Sequence, residues 1–333
     1  MSGQLPGAHS PDKRLPVTAR SWAQARSGVS RRIRTASTFP LGSPPWPGTV
    51  ELPPADKTLG VHYDSEWARS PLARRARVAL QATVANPLLR ALTSPSVRGL
   101  DRLAHFDEPA IFVANHSSHL DAPLILSVIP PRWRDELFVA GAADYFFNTH
   151  PKAVLSALAL NAVPMERQRV SRTSAGRATQ LLDDGWSMLI FPEGGRSPDG
   201  WGQPHRPGAA WLAVRSSVPV VPLYLEGTAR ILPKGSRRPK PGHVTVNFGA
   251  PILPPSDGDS RTFARTIEDA IAALADELAG DWYAARRRAA AGTTPPLSGP
   301  DATPWRRSWA LGAARKGAGP KADSSRWPWN HRP

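Results

Sequence analysis

The sequence predicts an α/β fold, one β-sheet with helices packed on its faces, set between two long basic arms. Three observations carry this. Six short apolar runs lie at 110–114 (AIFVA), 137–140 (LFVA), 161–165 (NAVPM), 187–191 (SMLIF), 219–225 (PVVPLYL) and 243–248 (HVTVNF). Segments with helical spacing of apolar residues alternate with them, at about 120–129, 151–159, 170–184 and 208–217. Strands and helices in alternation build a sheet covered on its faces. Finally, composition changes sharply at both ends, where Pro, Ser, Gly and Arg replace the apolar residues a core needs.

The N-terminal 60 residues, with "PLGSPPWPG" at 40–48, bury too little to fold and are expected to be a disordered basic arm. Their Arg- and Ser-rich, acid-poor composition shares features with organellar transit peptides, and they lack the apolar stretch of a secretory signal. From Glu66 to Leu92, apolar residues recur at helical spacing (Trp67, Leu72, Val78, Leu80, Val84, Leu88, Leu89, Leu92), with Pro87 expected to break or kink the helix. Arg69, Arg74, Arg75 and Arg77 give its first half a basic face, suited to a membrane surface or to plain solvation. A final helix is predicted from about Ser260 to Arg288. Beyond Ala291, "GTTPPLSGP" opens a second disordered basic arm, 292–333, which carries Trp305, Trp309, Trp327 and Trp329. Tryptophan among arginines suits an interfacial anchor, and equally a partner-binding segment or an unconstrained tail.

The totals narrow the function. The chain has 333 residues, 41% of them hydrophobic, enough for a sizeable core. With no cysteine, disulfides, Cys-ligated zinc and a Cys-bound acyl intermediate are excluded. The net charge of +15 resembles a nucleic-acid signal until it is divided along the chain. Residues 1–60 hold eight Lys/Arg against three Asp/Glu and residues 286–333 hold ten against two, which leaves +2 for 61–285. A nucleic-acid reader carries its basic patch on the folded part; here the charge sits in the arms, where any polyanionic surface attracts it. No stretch of 18 apolar residues exists, so no transmembrane helix is predicted.

Two polar clusters follow apolar strands, where sheets of this class place their active sites. The first is "NHSSHLD", 115–121. His116 can take a proton from an alcohol, and Asp121, five residues on, can fix the ring's tautomer and balance the imidazolium. His-x4-Asp alone is weak. A metal site of His116, His119 and Asp121 is the less favoured alternative; His119 is expected to pack or face solvent, and Ser117 and Ser118 to start the following helix. The second cluster is "FPEGGRSPDG", 191–200. Gly194 and Gly195 permit a sharp turn, Arg196 offers a fork for a phosphate, and Glu193 could orient that arginine or bind a hydroxyl. A surface β-turn would look the same. Neither Gly-x-Ser-x-Gly nor Gly-x4-Gly-Lys-Ser/Thr occurs, which disfavours serine hydrolases and P-loop enzymes.

Taken in order, "NHSSHLD", "NAVPMER" (161–167), "FPEGGRS" (191–197) and "VPVVPLYLEG" (218–227) resemble the four sequence blocks of the glycerolipid acyltransferases of the lysophosphatidic-acid acyltransferase type. The resemblance spans residues 100–250. It implies that family's single mixed β-sheet flanked by helices, with an acyltransferase domain at 61–291 and its catalytic core at 100–250. It implies His116 as base and Asp121 as its partner. It further implies Arg167, Glu193, Gly194, Gly195, Arg196 and Ser197 on the acceptor side and Pro222 on the acyl-donor side. The implied reaction is transfer of a fatty acyl group from acyl-CoA or acyl carrier protein to a hydroxyl of a lysophospholipid such as 1-acylglycerol-3-phosphate. No metal or other cofactor is implied, and the expected location is peripheral, on the cytoplasmic face of an anionic membrane. Glu-Gly-Gly-Arg in place of Glu-Gly-Thr-Arg is similar to the glycerol-3-phosphate acyltransferases, and Met165-Glu166-Arg167 replaces a commoner Val/Ile-Asp/Asn-Arg. Both departures leave the acceptor open, glycerol 3-phosphate included. The different reading is a non-catalytic basic adaptor on membrane or nucleic acid.

Overall fold

A computed structural model describes residues 58–167, 172–197, 201–256 and 258–298; residues 1–57 and 299–333, most of both arms, lie outside the described residues, while Leu297 of the second arm packs against the folded core. Its centre is one seven-stranded sheet: β1 (Pro95–Arg98), β2 (Ile111–Ala114), β3 (Leu137–Ala142), β4 (Ala162–Met165), β5 (Ser187–Ile190), β6 (Val220–Glu226) and β7 (Val244–Phe248), in the order β1-β7-β6-β2-β5-β3-β4. From β6 to β4 the strands are parallel; β7 turns antiparallel to β6, and β1 runs parallel to β7. The sheet is therefore mixed, as expected. All six predicted strands are present. β1 was not predicted, because "PSVR" has one strong apolar residue, and it forms only as an edge strand that completes the sheet beyond β7.

The uninterrupted apolar run of β2 has its cause in this layering. Phe112 and Ala114 point to one core cluster, with Leu124, Trp133 and Phe248, while Ile111 and Val113 point to the other, with Met188, Ala210 and Ile271. Both faces of the central strand are covered by helices, so no position along it can be polar.

Helices follow the predicted spacings: Asp121–Val128, His150–Leu160, Arg172–Asp183 and Gly208–Ser216. Two differ. The segment predicted to be one helix at 66–92 is a 3₁₀ turn (Glu66–Arg69) followed by α-helix Pro71–Leu80, a π-helical turn (Gln81–Ala85) and α-helix Asn86–Thr93. Ser70 caps it, its Oγ accepting from the Ala73 N–H, and the π-turn sits just before Pro87, where the proline has no N–H to give. Arg77 does not belong to the basic face: it is buried and donates to the carbonyls of Leu158, Ala157 and Ala68. The helix predicted at 260–288 is two, Ser260–Ala279 and Trp282–Ala290. Gly280 ends the first and Asp281 caps the second, accepting from the Ala284 N–H. Asp276 then holds the second helix through a two-point ion pair with Arg288.

Candidate active site

The carboxyl ends of the five parallel strands open into a cleft of about 1150 Å³. β2 delivers His116 to it. Asn115 fastens that strand end to β6 through two hydrogen bonds with the Leu225 backbone, of 3.0 and 2.8 Å. The chain then turns so that Asp121, first residue of the next helix, faces back. Its Oδ2 accepts from His116 Nδ1 at 2.8 Å and from the N–H groups of Ser117 and Ser118 at 2.7 and 2.8 Å. Asp121 is fully buried, while the His116 ring keeps 17% of its surface exposed, toward the cleft. With Nδ1 committed to the carboxylate, a neutral ring has its lone pair on Nε2, which has no partner among the described residues. Phe191 stacks on the ring at 4.2 Å between centroids and limits its rotation.

Ser117 and Ser118 do not cap the helix. Ser118 Oγ donates to the Leu232 carbonyl and accepts from the Leu120 N–H, while the Ser117 hydroxyl meets that of Thr228. They tie the turn to the segment after β6. His119 stacks on Tyr145, with Nε2 3.0 Å from the phenol oxygen. Burial, and next the charge of Arg196, lowers its pKa to about 4, so the ring is neutral near pH 7. Among the described residues no three His, Asp or Glu side chains converge as metal ligands would.

The segment after β5 wraps around His116. The His116 N–H donates to Glu193 Oε1 at 2.8 Å, and its carbonyl accepts from the Ser197 N–H at 2.7 Å. Glu193 is 4% exposed, and its Oε2 accepts from the Gln203 N–H at 3.0 Å. Burial pushes this carboxyl up to about 7. Gly194 turns the chain at φ +69°, a conformation open to glycine. Of the five arginines that line the cleft, three come from the strand ends and the loop after β5: Arg196 from this segment, Arg167 from the end of β4, and Arg206 from the return of the loop. The Arg196 guanidinium has no hydrogen-bond or ion-pair partner among the described residues. Arg167 Nε donates to Asp144 Oδ1 at 2.9 Å. Burial lowers the pKa of Arg196 from its ordinary value, though guanidinium stays charged through the physiological range.

Of the residues expected at the site, His116, Arg167, Gly194, Gly195 and Arg196 line the cleft together, and Asp121 stands directly behind His116. Three do not line it. Glu193 neither orients Arg196 nor faces an acceptor, because both its oxygens are taken by backbone N–H groups. Ser197 is buried, its hydroxyl donating to the Trp201 carbonyl. Pro222 lies inside the sheet opposite Val113, against Gly249, where a Cβ would come within 2.6 Å of its ring. The Glu193 bridge, the Asn115 clamp and Arg206 went unassigned in the sequence; only the polarity of Asn115, beside an apolar strand, hinted at its role.

Residues 94–226 match the family model described as Acyltransferase. The match runs from β1 to the end of β6, and so contains every residue of the cleft discussed above. Among curated proteins, the acyltransferase segment is similar to the chloroplastic 1-acyl-sn-glycerol-3-phosphate acyltransferases of Brassica napus (33% identical over 142 residues, 42% of this chain and 39% of that protein) and Arabidopsis thaliana (33% over 160 residues, 47% and 43%). A human 1-acyl-sn-glycerol-3-phosphate acyltransferase alpha is 29% identical over 183 residues, 52% of this chain and 58% of that one. The match thus spans well under two thirds of these relatives. The crystal structure of a 1-acyl-sn-glycerophosphate acyltransferase from Thermotoga maritima aligns with a TM-score of 0.49 and 25% identity, over 65% of this chain and 84% of that chain.

Proposed function

We propose that the protein is an O-acyltransferase of phospholipid biosynthesis. It moves a fatty acyl group from a thioester donor, acyl-CoA or acyl carrier protein, to the free hydroxyl of 1-acylglycerol-3-phosphate or a close relative. One observation carries the reading: a His116–Asp121 pair at 2.8 Å shares a cleft with the guanidiniums of Arg167 and Arg196. The hydroxyls of neighbouring Ser117 and Ser118 are hydrogen-bonded to Thr228 and Leu232, and the chain has no cysteine, so a base at His116 needs a hydroxyl brought by the substrate, and paired arginines suit a substrate bearing phosphate. The names of the similar proteins point the same way.

In this mechanism the acceptor's phosphate sits against Arg196 and Arg167, which presents its hydroxyl to Nε2 of His116. The ring takes the hydroxyl proton as the oxygen attacks the thioester carbonyl. Asp121 stabilises the imidazolium so formed. When the tetrahedral intermediate collapses, the carbon–sulfur bond breaks and the imidazolium returns the proton to the leaving thiol. Base catalysis supplies roughly 10²–10⁴-fold, and positioning of the two substrates supplies much of the rest. No metal or organic cofactor enters the scheme.

The enzyme works at a membrane surface in this reading, on the cytoplasmic face. Among the described residues no helix is long and apolar enough to cross a membrane. The helical segment at 71–93 leaves Leu72 79% and Leu88 64% exposed, with Arg75 and Arg90 also exposed on it, a composition that suits an anionic lipid interface. The basic arms would add to this attraction. The deciding assay gives purified protein one labelled acyl-CoA and a panel of lysophospholipids and glycerol 3-phosphate. Acceptor-dependent release of free CoA with formation of the acylated lipid is expected. Release that needs no acceptor would mark a thioesterase, and none with any acceptor or donor would favour a non-catalytic adaptor.

A further inference from the structure

We propose that Arg206 is a positioning residue of the acceptor-phosphate site, joining its two arginine-bearing segments into one anion clamp. The inference rests on the reading of Arg167 and Arg196 given above. Arg206 lies outside every motif recognisable in the sequence, at the end of the loop that leaves β5. Three contacts define its place. Its backbone N–H donates to the Pro192 carbonyl at 2.9 Å, so the loop returns to its own beginning. Its side chain crosses Gly194 so closely that a Cβ there would lie 2.7 Å from Nε. Its Nη1 then reaches the far side and donates to the carbonyl of Arg167. One side chain therefore starts on the Arg196 segment, passes over its glycine turn, and fixes the backbone of the residue that carries the second guanidinium.

The consequences are geometric and electrostatic. Arg167 stands two residues past the end of β4, where strand pairing no longer holds it, and among the described residues its own side chain is tied only by the exposed carboxylate of Asp144. The Arg206 bond is what holds its main chain toward Arg196. Arg206 also lines the cleft itself, so it adds positive charge beside Arg167 and Arg196 to a wall that must meet a phosphate. Gly194 acquires a second reason to be glycine: besides its positive φ, it vacates the space through which the guanidinium passes. A larger residue would push Arg206 off the Arg167 carbonyl even if the turn survived.

The test compares Arg206→Met and Arg206→Lys with the wild type in steady-state kinetics, using acyl-CoA and 1-acylglycerol-3-phosphate, with thermal unfolding as a check on folding. Methionine keeps much of the aliphatic bulk but loses both charge and bond. It should raise the acceptor KM about tenfold or more, the scale of one charge-assisted hydrogen bond, with donor KM within twofold. Lysine keeps the charge without the long planar fork and should recover only part of this. In an Arg167→Ala background, Arg206→Met should add at most about twofold, because the residue it positions is gone. Full recovery with lysine, or additive effects in the double variant, would leave Arg206 as charge alone and overturn the positioning role. An acceptor KM equal to wild type in a folded Arg206→Met protein would overturn the inference altogether while leaving the acyltransferase reading intact. Wild-type protein that acylates no phosphate-bearing acceptor would sink the underlying reading instead.

Discussion

The two sides of the cleft are built on opposite rules. On the His116 side almost every polar group is satisfied within the chain: Asp121 Oδ2 takes three donors, the His116 backbone is held at both N–H and carbonyl, and Phe191 stacks on the ring. Nε2 is left open toward the cleft, and behind it the buried Oδ1 of Asp121 has no hydrogen-bond partner. On the arginine side the groups are left open: the Arg196 guanidinium has no partner among the described residues, and that of Arg167 has one exposed carboxylate. A reacting group gains from being fixed before substrate arrives, whereas a binding group gains from having its best partner supplied by the substrate. The contrast is strongest at His116. Changing it to Ala should lower kcat/KM by about 10²–10⁴-fold. The ring is at the cleft and not in either core cluster, so the melting temperature should change little. Asp121→Asn should lose a comparable rate and some stability too, since a fully buried amide cannot serve all three donors as the carboxylate does. Turnover close to wild type in a folded His116→Ala protein would end the proposed mechanism.

The arginine side should respond in KM instead. Arg196→Ala is expected to raise the acceptor KM by roughly 10–100-fold, as loss of a charge-assisted pair does, with little change in the donor KM. Arg196→Lys should be only a partial replacement, because a point charge lacks the fork. Arg167 should show the same pattern with a smaller effect, its guanidinium being already shared with Asp144. A rise confined to the donor KM would exchange the two ends of the cleft.

Glu193 belongs to the first region although its motif suggests the second, and titration separates the two assignments. Folding raises its carboxyl from an ordinary 4.5 to about 7, chiefly through burial. Between those values the folded protein holds the proton and the unfolded chain does not. Its contribution to stability is thus fully present below about pH 4.5 and is lost as the pH rises to about 7. Glu193→Gln cannot ionise, so the difference in melting temperature, variant minus wild type, should drift in the variant's favour from pH 5 to 8. His119 and His205 are both held near 4, which gives a slope of the opposite sign, but one present in both proteins that cancels in the difference. A difference that is flat from pH 5 to 8 would place the proton elsewhere. Lost contact with the His116 and Gln203 N–H groups should also lower kcat a few-fold, without the acceptor-KM signature of the arginines.

What the sequence made legible follows from the same physics. The strands of the buried sheet announce themselves because both faces are covered and nothing polar is tolerated, whereas edge strand β1 carries no such run and is invisible without its partner β7. His116 and Asp121 could be read because their contact is local, five residues apart across one turn. Glu193 and Arg206 were out of reach for the opposite reason. The first acts through a backbone N–H 77 residues away and the second through a carbonyl 39 residues away, and no local pattern encodes either. Pro222 is the converse case. It stands in a motif, yet its neighbours in space are Val113 and Gly249, and its place in the strand is explained by packing alone.

The smallest expected effect is also the one of opposite sign. Asp144 is the only described partner of the Arg167 side chain, at 2.9 Å, and the pair is exposed, the aspartate by 70%. Such pairs contribute roughly 0–1 kcal/mol, and that is the most an incoming phosphate must overcome to take Arg167 for itself. Asp144→Asn keeps the shape and removes the competing charge. The acceptor KM should therefore fall, by no more than about fivefold, while the thioester KM and kcat stay near wild type. The gain should shrink as salt is raised, since screening weakens an exposed carboxylate's hold on Arg167 in the wild type as well. A rise in acceptor KM would reverse the argument: Asp144 would then be orienting Arg167 for the phosphate, and the arginine side of the cleft would be as preorganised as the histidine side.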